Sequence, residues 1–268
     1  MARMPTPFRT LSLLAGTLLV LFLALPLLAL VGQVGRLSWA PLAEPAVLEA
    51  LLLSLRTTFL TTVVIVLTGT PLAWWLARGR VPGLAWIEPL LDLPLVLPPT
   101  VAGLGLLLAF GRMGWWGATL EGFGVHLPFT TAAVVCAQVF VSAPLYLASA
   151  RTAFAAVDPA LEEAAATLGS HEGDRFVRVT LPLAAPGLLA GAVLATARAL
   201  GEFGATLMFA GNLAGVTRTL PLAVYGALQV APDQAIALSL VLLAIAVILL
   251  ALLRGVGRAR NEARDADR

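Results

Sequence analysis

Long apolar runs separated by short polar stretches dominate the chain from residue 11 onwards. A transmembrane helix needs about 20 mostly apolar residues to cross the hydrocarbon core of a bilayer. Six runs meet or approach that length, so the pattern predicts an all-α integral membrane protein with about six transmembrane helices. The predicted spans are residues 11–31, 51–76, 90–110, 131–150, 185–209 and 235–253.

The first predicted span has two interpretations, because Arg3 and Arg9 precede it as basic residues precede a secretory signal sequence. A signal sequence has an apolar core of about 7 to 15 residues, followed by small residues at a cleavage site. The run 11–31 is longer than that core, and no such site follows it. The pattern therefore favours a retained helix.

Composition supports lipid rather than water as the solvent for most of this chain. Hydrophobic residues make up 59% and charged residues 12% of the 268 positions, whereas soluble domains carry about 25% charged residues. The net charge of +2 does not indicate nucleic-acid binding. One cysteine, Cys136, cannot form an intrachain disulfide, and His126 and His171 are too far apart in sequence to predict a metal site.

The distribution of arginine predicts the orientation, because cytoplasmic loops of membrane proteins carry an excess of basic residues. All 17 basic residues are arginines; Arg56 and Arg198 fall within spans. With both termini in the cytoplasm, 12 arginines lie in inner segments and 3 in outer segments. We therefore expect a multi-pass protein of the inner membrane with cytoplasmic termini. The inner arginines are Arg3, Arg9, Arg78, Arg80, Arg151, Arg175, Arg178, Arg254, Arg258, Arg260, Arg264 and Arg268.

The predicted cytoplasmic loop 158–182 contains the signals of a short helix. Asp158 suits an N-cap and Pro159 the first helical position. Glu162 and Glu163 lie where the helix dipole favours negative charge, and Gly169 suits a C-terminal stop. A helix of about ten residues is not stable alone in water, so we expect it to dock on a partner.

Seven positions of this loop resemble the cytoplasmic signature of the permeases of ATP-binding-cassette (ABC) importers. They are Glu163, Ala164, Ala165, Gly169, Val179, Leu181 and Pro182, with Val179 where isoleucine is common. The resemblance implies that the short helix predicted in this loop is the coupling helix, which sits in a groove of an ATPase subunit. The small alanines would allow close approach, and Glu163 would meet a polar partner. The alternative from the residues alone is an ordinary helix–turn–helix loop.

The resemblance extends over residues 54–243 and implies the type I ABC importer permease fold. It implies one transmembrane permease domain over 1–268, with its core at about 50–254, the coupling loop at 158–182 and a cytoplasmic tail at 255–268. The implied partners are a second copy of the chain, two ATPase subunits and a periplasmic oxyanion-binding protein. The chain lacks the Gly-x4-Gly-Lys-Ser/Thr loop that cradles phosphates. ATP and Mg are therefore expected on the partner ATPase, with no catalytic residue and no cofactor in this chain.

Three stretches are most similar to molybdate permeases, namely residues 93–104, 110–114, and 199–212 together with 217–222. Sulfate and thiosulfate permeases are also similar but commonly differ after Phe203-Gly204-Ala205. Molybdate, with tungstate as a near-isostere, is the expected substrate, and sulfate or thiosulfate is the alternative. The physical chemistry of the residues does not separate tetrahedral oxyanions of such similar size.

Seven residues are candidates for the pathway or a gate. Proline breaks helices, and broken helices at membrane depth line protein or a cavity; a structural kink is the alternative at Pro98-Pro99. A charged pair inside a span favours a gate or a neutralised packing contact, and hydroxyl-rich helices suit either an oxyanion path or interhelical bonds. The candidates are Thr58, Thr61, Pro98, Pro99, Thr100, Arg198 and Glu202.

Two other classes of protein explain the sequence less well. A membrane-embedded enzyme would need intramembrane His, Asp, Glu or Ser-Lys clusters, which the sequence does not contain. A passive channel or scaffold would leave the signature of the loop unexplained.

Overall fold

The computed structural model describes residues 6–79 and 83–266, which form helices and no β-strand. Arg3, Arg80 and Arg268, three of the arginines used to predict orientation, lie outside the described residues. The α-helices are α1 (Thr6–Val31), α2 (Pro45–Arg78), α3 (Glu88–Val96), α4 (Pro99–Phe110), α5 (Gly117–Gly122), α6 (Thr131–Ala155), α7 (Pro159–Thr167), α8 (Glu172–Arg175), α9 (Leu181–Leu200), α10 (Gly204–Phe209), α11 (Leu220–Val230) and α12 (Pro232–Ala266).

Five of the described helical segments are long and apolar enough to cross a membrane. They are α1, α2, α6, α12 and the continuous segment Glu172–Leu200, in which a π-helical turn at Phe176–Thr180 joins α8 to α9. The expected all-α fold is confirmed, and the expected number of about six membrane segments is consistent with these five segments and the two shorter helices, α3 and α4, of the third predicted span.

The third predicted span, 90–110, was wrong as a single helix. It divides into α3 and α4, and Leu97 and Pro98 between them have extended ψ angles of 133°. Pro98 and Pro99 have no amide hydrogen to donate, and each ring crowds the preceding turn. The break therefore lies at the consecutive prolines, where the sequence indicated a disruption.

The fifth predicted span, 185–209, was also too long at its C-terminal end. The helix α9 stops at Leu200, three residues outside helical structure follow, and the short helix α10 begins at Gly204. Two of those three residues, Glu202 and Phe203, would be expected to continue a helix, so the break depends on contacts described below.

The centre of the bundle is formed by α2, α6 and α9. Tyr146 and Phe154 of α6 are fully buried between α2 and α9, together with Ile65 of α2. A side-chain carbon at Gly187 of α9 would lie only 2.5 Å from the Ala153 Cβ. Small residues thus bring α6 and α9 into close contact, as is common where helices associate in lipid.

Outside this centre lie α1 and α11. No residue in the central part of α1 is buried, and the helix contacts α12, so nearly all its leucines face outwards. The apolar segment Leu220–Val230 folds as α11, which packs against α12 and α2. The Leu220 amide donates a hydrogen bond to the Ser54 hydroxyl at 2.6 Å, which fixes the start of α11 to α2.

Candidate coupling and translocation sites

The loop that carries the seven-residue signature begins with a capped helix. The Asp158 carboxylate accepts a hydrogen bond from the Ala160 amide at 2.9 Å, which satisfies one of the free donors at the start of α7. After α7 ends, Gly169 has a φ of +86°. Glycine adopts this left-handed conformation without steric strain, so the chain reverses sharply at the position where the sequence placed a turn.

The first half of the signature lies on an exposed apex, which we define as residues 163–168. Glu163 and Ala164 are exposed and Ala165 is half-buried. Leu168, at the tip, is 89% exposed. A single exposed leucine is ordinary on a protein surface, so its exposure shows only that the apex is accessible to another molecule.

The second half of the signature enters the bundle. Val179 and Leu181 are half-buried, whereas Pro182 is exposed at the start of α9. In the same segment, the Phe176 ring lies 5.1 Å from the Trp74 ring of α2 and 6.1 Å from the Phe154 ring of α6, centroid to centroid. This aromatic cluster fixes the base of the loop to two membrane helices.

Glu162 holds the loop in a way that the sequence did not predict. Its Oε1 atom accepts a hydrogen bond from Arg78 Nη2 at 2.6 Å and another from the Thr180 hydroxyl at 2.6 Å. Arg78 ends α2 and Thr180 immediately precedes α9. We call Arg78, Glu162 and Thr180 the buried clamp. An acidic residue beside the signature and an arginine at a span end were the available signals, but their separation of 84 positions hid the pairing.

The second candidate site is the contact between the two broken spans. A side-chain carbon at Gly204, the first residue of α10, would lie 2.8 Å from the Pro99 Cβ and 3.3 Å from the Thr100 amide nitrogen. One at Gly103 would lie 2.6 Å from the Ala205 carbonyl oxygen. The start of α4 and the start of α10 therefore touch at backbone distance, a contact that only glycine permits at both positions. We call this contact the broken-helix junction.

A buried ion pair supports the α10 side of the junction. Glu202 is 1% exposed; its Oε2 lies 2.7 Å from Arg198 Nη1, and its Oε1 accepts a hydrogen bond from the Ala205 amide at 2.8 Å. Arg198 is 32% exposed. Glu202 thus both neutralises the arginine and caps the start of α10. These bonds stabilise the break after Leu200, which residue preferences alone do not explain.

The hydroxyl residues of α2 do not form one continuous set of bonds. Thr61 donates a hydrogen bond to the Gln138 side chain at 2.9 Å, and Gln138 donates to the Ala199 carbonyl at 3.1 Å. Thr61 is therefore connected through α6 to the end of α9. The Thr58 hydroxyl is buried and has no hydrogen-bond partner among the described residues. Thr100 is exposed at the start of α4.

At the start of α4, two backbone amides have no hydrogen-bond acceptor among the described residues. The first hydrogen bond here runs from the Ala102 amide to the Pro98 carbonyl at 3.0 Å, so the Thr100 and Val101 amides precede the helical pattern. Unpaired amides at the start of a helix carry partial positive charge and favour anions. The geometry is compatible with a transient oxyanion contact.

A bundle of membrane helices with a capped, exposed signature loop and two broken helices defines a class of protein, the permease subunits of ABC importers. The chain belongs to the binding-protein-dependent transport system inner membrane component family, whose model matches residues 69–260. It is therefore a multi-pass inner-membrane transport subunit, and ATP hydrolysis belongs to a separate ATPase subunit.

Curated relatives agree with this family. The chain is 49% identical over 228 residues to the molybdenum transport system permease protein ModB of Mycobacterium tuberculosis, covering 85% of this chain and 86% of that one. It is 42% identical over 206 residues to the Escherichia coli K12 protein of the same name, covering 76% and 90%. It is 37% identical over 233 residues to the sulfate transport system permease protein CysT of E. coli K12, covering 85% and 84%.

Solved structures share the fold at low sequence identity. One is a bacterial ABC transporter involved in the import of the acidic polysaccharide alginate, with a TM-score of 0.71 at 16% identity and 94% and 96% of the two chains covered. A complex of bacterial alginate ABC transporter with a pentasaccharide-bound periplasmic protein gives 0.69 at 17% identity, covering 94% of both chains. The expected type I importer permease fold is thereby confirmed.

Proposed function

We propose that this chain is the membrane subunit through which an ABC importer moves molybdate, or its near-isostere tungstate, into the cytoplasm. The sequence relationship carries the choice of substrate. Identity to a molybdenum permease is 49%, against 37% to a sulfate permease over a similar share of the chain. The three stretches that resemble molybdate permeases include the two segments that meet at the broken-helix junction.

The proposed docking surface for the ATPase is the apex together with an adjoining pocket of about 290 Å³. The observation that supports this role is that the signature residues at the apex are exposed, whereas the other end of the loop is buried in the helix bundle. Two arginines and two glutamates line the pocket, so a polar side chain of the ATPase would find a partner there, while Leu168 would enter an apolar groove. The pocket is lined by Arg78, Pro159, Glu162, Glu163, Ala166 and Arg175.

The proposed assembly contains two copies of this chain, two ATPase subunits with bound ATP and Mg, and a periplasmic oxyanion-binding protein. Each chain has one signature loop, so engagement of two ATPases requires two chains related by a two-fold axis. The apex would face the cytoplasm, as would both termini. Arg78, Arg151, Arg175 and Arg178 lie at the apex end of the bundle, which supports this orientation.

The proposed path for the anion runs past the broken-helix junction. Free amides and the hydroxyl at Thr100 would offer weak, transient donors, while Arg198 and Glu202 would hold the junction rather than capture the anion. A weak set of contacts suits transport, because an anion that binds tightly in the pathway would not leave it.

Transport in proteoliposomes tests this proposal. The chain would be reconstituted with its ATPase and binding protein, and uptake of labelled molybdate measured with and without ATP. We expect ATP-dependent uptake that tungstate inhibits strongly and sulfate weakly. Equal inhibition by sulfate would favour the sulfate alternative, and flux without ATP from this chain alone would favour a passive channel.

Docking is tested separately by the affinity of the ATPase for detergent-solubilised chain. Leu168→Asp places a charge on the apex and should weaken binding at least tenfold, because an unpaired charge buried at the interface costs about 3 to 5 kcal/mol. Met113→Asp is a matched control on a fully exposed residue of the opposite end and should leave ATPase binding unchanged. If both variants bind the ATPase like the native chain, the apex is not the docking surface.

A further inference from the structure

We propose that the buried clamp is the positioning element that makes α2 and α9 follow the apex when the ATPases move. This inference rests on the proposed docking of the ATPase at the apex. It assigns a role to Arg78, Glu162 and Thr180, none of which belongs to the seven signature positions. In the assembled transporter, the clamp would determine how efficiently ATP hydrolysis is converted into transport.

The geometry of the clamp joins three elements at one atom. Glu162 Oε1 accepts from Arg78 Nη2 and from the Thr180 hydroxyl, each at 2.6 Å. One donor ends α2 and the other immediately precedes α9, while the acceptor lies in α7. Arg78 Nη1 also donates to the Val157 carbonyl at 3.3 Å, just before the N-cap of α7. The start and the middle of the short helix are thus both tied to α2.

Burial makes these bonds stiff. The side chains of Arg78 and Glu162 are each 10% exposed, and Thr180 is 1% exposed. Shielding from water strengthens an ion pair, whereas exposed pairs contribute little and exchange readily with solvent. The loop itself provides the contrast, since Arg178 and Asp174 lie 3.9 Å apart with both side chains largely exposed.

The clamp lies directly under the proposed docking surface, because Arg78 and Glu162 line the pocket beside the apex. A displacement of α7 would therefore be transmitted at once to the ends of α2 and α9. The Phe176 cluster also joins the loop to α2 and α6, but apolar rings can slide over one another. An ion pair whose acceptor oxygen also accepts a hydrogen bond from a hydroxyl fixes the relative orientation of the joined segments as well as the distance between them.

Charge exchange within the pair tests the role. Arg78→Glu, Glu162→Arg and the double variant would be reconstituted with the ATPase and binding protein. ATPase affinity, ATP hydrolysis and anion uptake would be measured on each. Because Arg78 and Glu162 also line the docking pocket, the ratio would be measured at ATPase concentrations that saturate each variant. We expect each single variant to use about tenfold more ATP per anion transported, taking the fold-change typical of coupling between two sites as the scale. The double variant should recover most of the native ratio.

A milder set covers the case in which a reversed charge prevents folding. Glu162→Gln removes the charge and Thr180→Val removes the second donor; each should raise the ATP used per anion at least threefold. Asp174→Asn makes the same acid-to-amide change on the exposed pair of the loop and should leave the ratio unchanged.

Native ratios in all folded clamp variants would overturn the proposal, as would a double variant no better coupled than the single ones. A native chain that fails to bind the ATPase, or a Leu168→Asp variant that binds it normally, would instead refute the docking on which the clamp proposal rests.

Discussion

The buried clamp and the broken-helix junction both use a buried glutamate beside an arginine, yet they connect the chain over very different distances. Glu162 bonds to residues 84 and 18 positions away, and so joins three helices. Glu202 bonds to residues 4 and 3 positions away, and so closes on its own segment. The same chemistry therefore transmits force between elements in one region and stabilises a local break in the other.

This difference teaches that burial of an ion pair does not by itself reveal its role. A pair within one segment can be replaced or lost without changing how other segments move relative to each other, although stability falls. A pair between segments changes their relative freedom. A change at Glu202 should therefore lower stability with little effect on the ATP-to-anion ratio. A change at Glu162 should alter that ratio more than it lowers stability.

The largest effect on stability is expected at Glu202. Replacement by leucine keeps much of the volume but leaves Arg198 without its acid and the Ala205 amide without its acceptor. We expect a loss of about 3 kcal/mol, the lower end for breaking a buried pair, because Arg198 is partly exposed. Thermal unfolding in detergent measures this loss, and any folded fraction should keep the native ATP-to-anion ratio.

Glu121→Leu is the control for that change. Glu121 pairs with Arg112 at 2.8 Å, but the arginine is 80% exposed. Loss of this pair should lower the free energy of unfolding by less than about 1 kcal/mol, as for other surface ion pairs. Equal destabilisation by the Glu202 and Glu121 replacements would contradict this prediction. A Glu202 variant with a raised ATP-to-anion ratio would remove the distinction between the buried clamp and the broken-helix junction.

An intermediate effect is expected at Gly103. An alanine methyl would lie 2.6 Å from the Ala205 carbonyl oxygen and 2.8 Å from its Cα, and these are backbone atoms that cannot rotate away. We expect Gly103→Ala to cost about 1 to 3 kcal/mol by overpacking and to reduce uptake. Gly105→Ala, two residues along the same helix and in open space, should be neutral or stabilising. Unfolding midpoints that shift equally would contradict contact between α4 and α10.

The smallest effect is expected at Gly169. Its φ of +86° disfavours a side chain, so Gly169→Ala should cost about 1 kcal/mol in the conformation of the loop. That cost should weaken ATPase binding about fivefold, with no measurable change at the junction. Gly173→Ala, in the same loop but without a positive φ, should bind the ATPase normally. Equal binding by the two variants would show that the turn does not orient the apex.

Local signals predicted the parts of the structure that depend on local chemistry. Run length predicted most membrane segments, and Asp158 and Gly169 predicted where α7 begins and where the chain reverses. The prolines at 98 and 99 indicated the break in the third span, although the span was predicted as one helix. The end of α9 was predicted too far along, because the bond from Glu202 to the Ala205 amide competes with helix continuation.

Contacts between distant segments were not predictable from the pattern. Neither Arg78 with Glu162 nor Trp74 with Phe176 has a periodic relation in sequence. The glycines at 103 and 204 were visible, but their opposing partners were not. Such pairings are set by how helices pack in three dimensions, so one sequence shows the residue types available for a site without showing which of them meet.

The continuous helix from Glu172 to Leu200 has a consequence for timing. Its 29 residues span about 43 Å at the usual rise of 1.5 Å per residue, from the signature loop at one end to the break before Glu202 at the other. A continuous hydrogen-bonded helix is stiff, so a displacement at the end that carries the signature loop should reach the break after Leu200 without delay. We therefore expect the pathway to open at the same time as the ATPase subunits close, rather than in a later step.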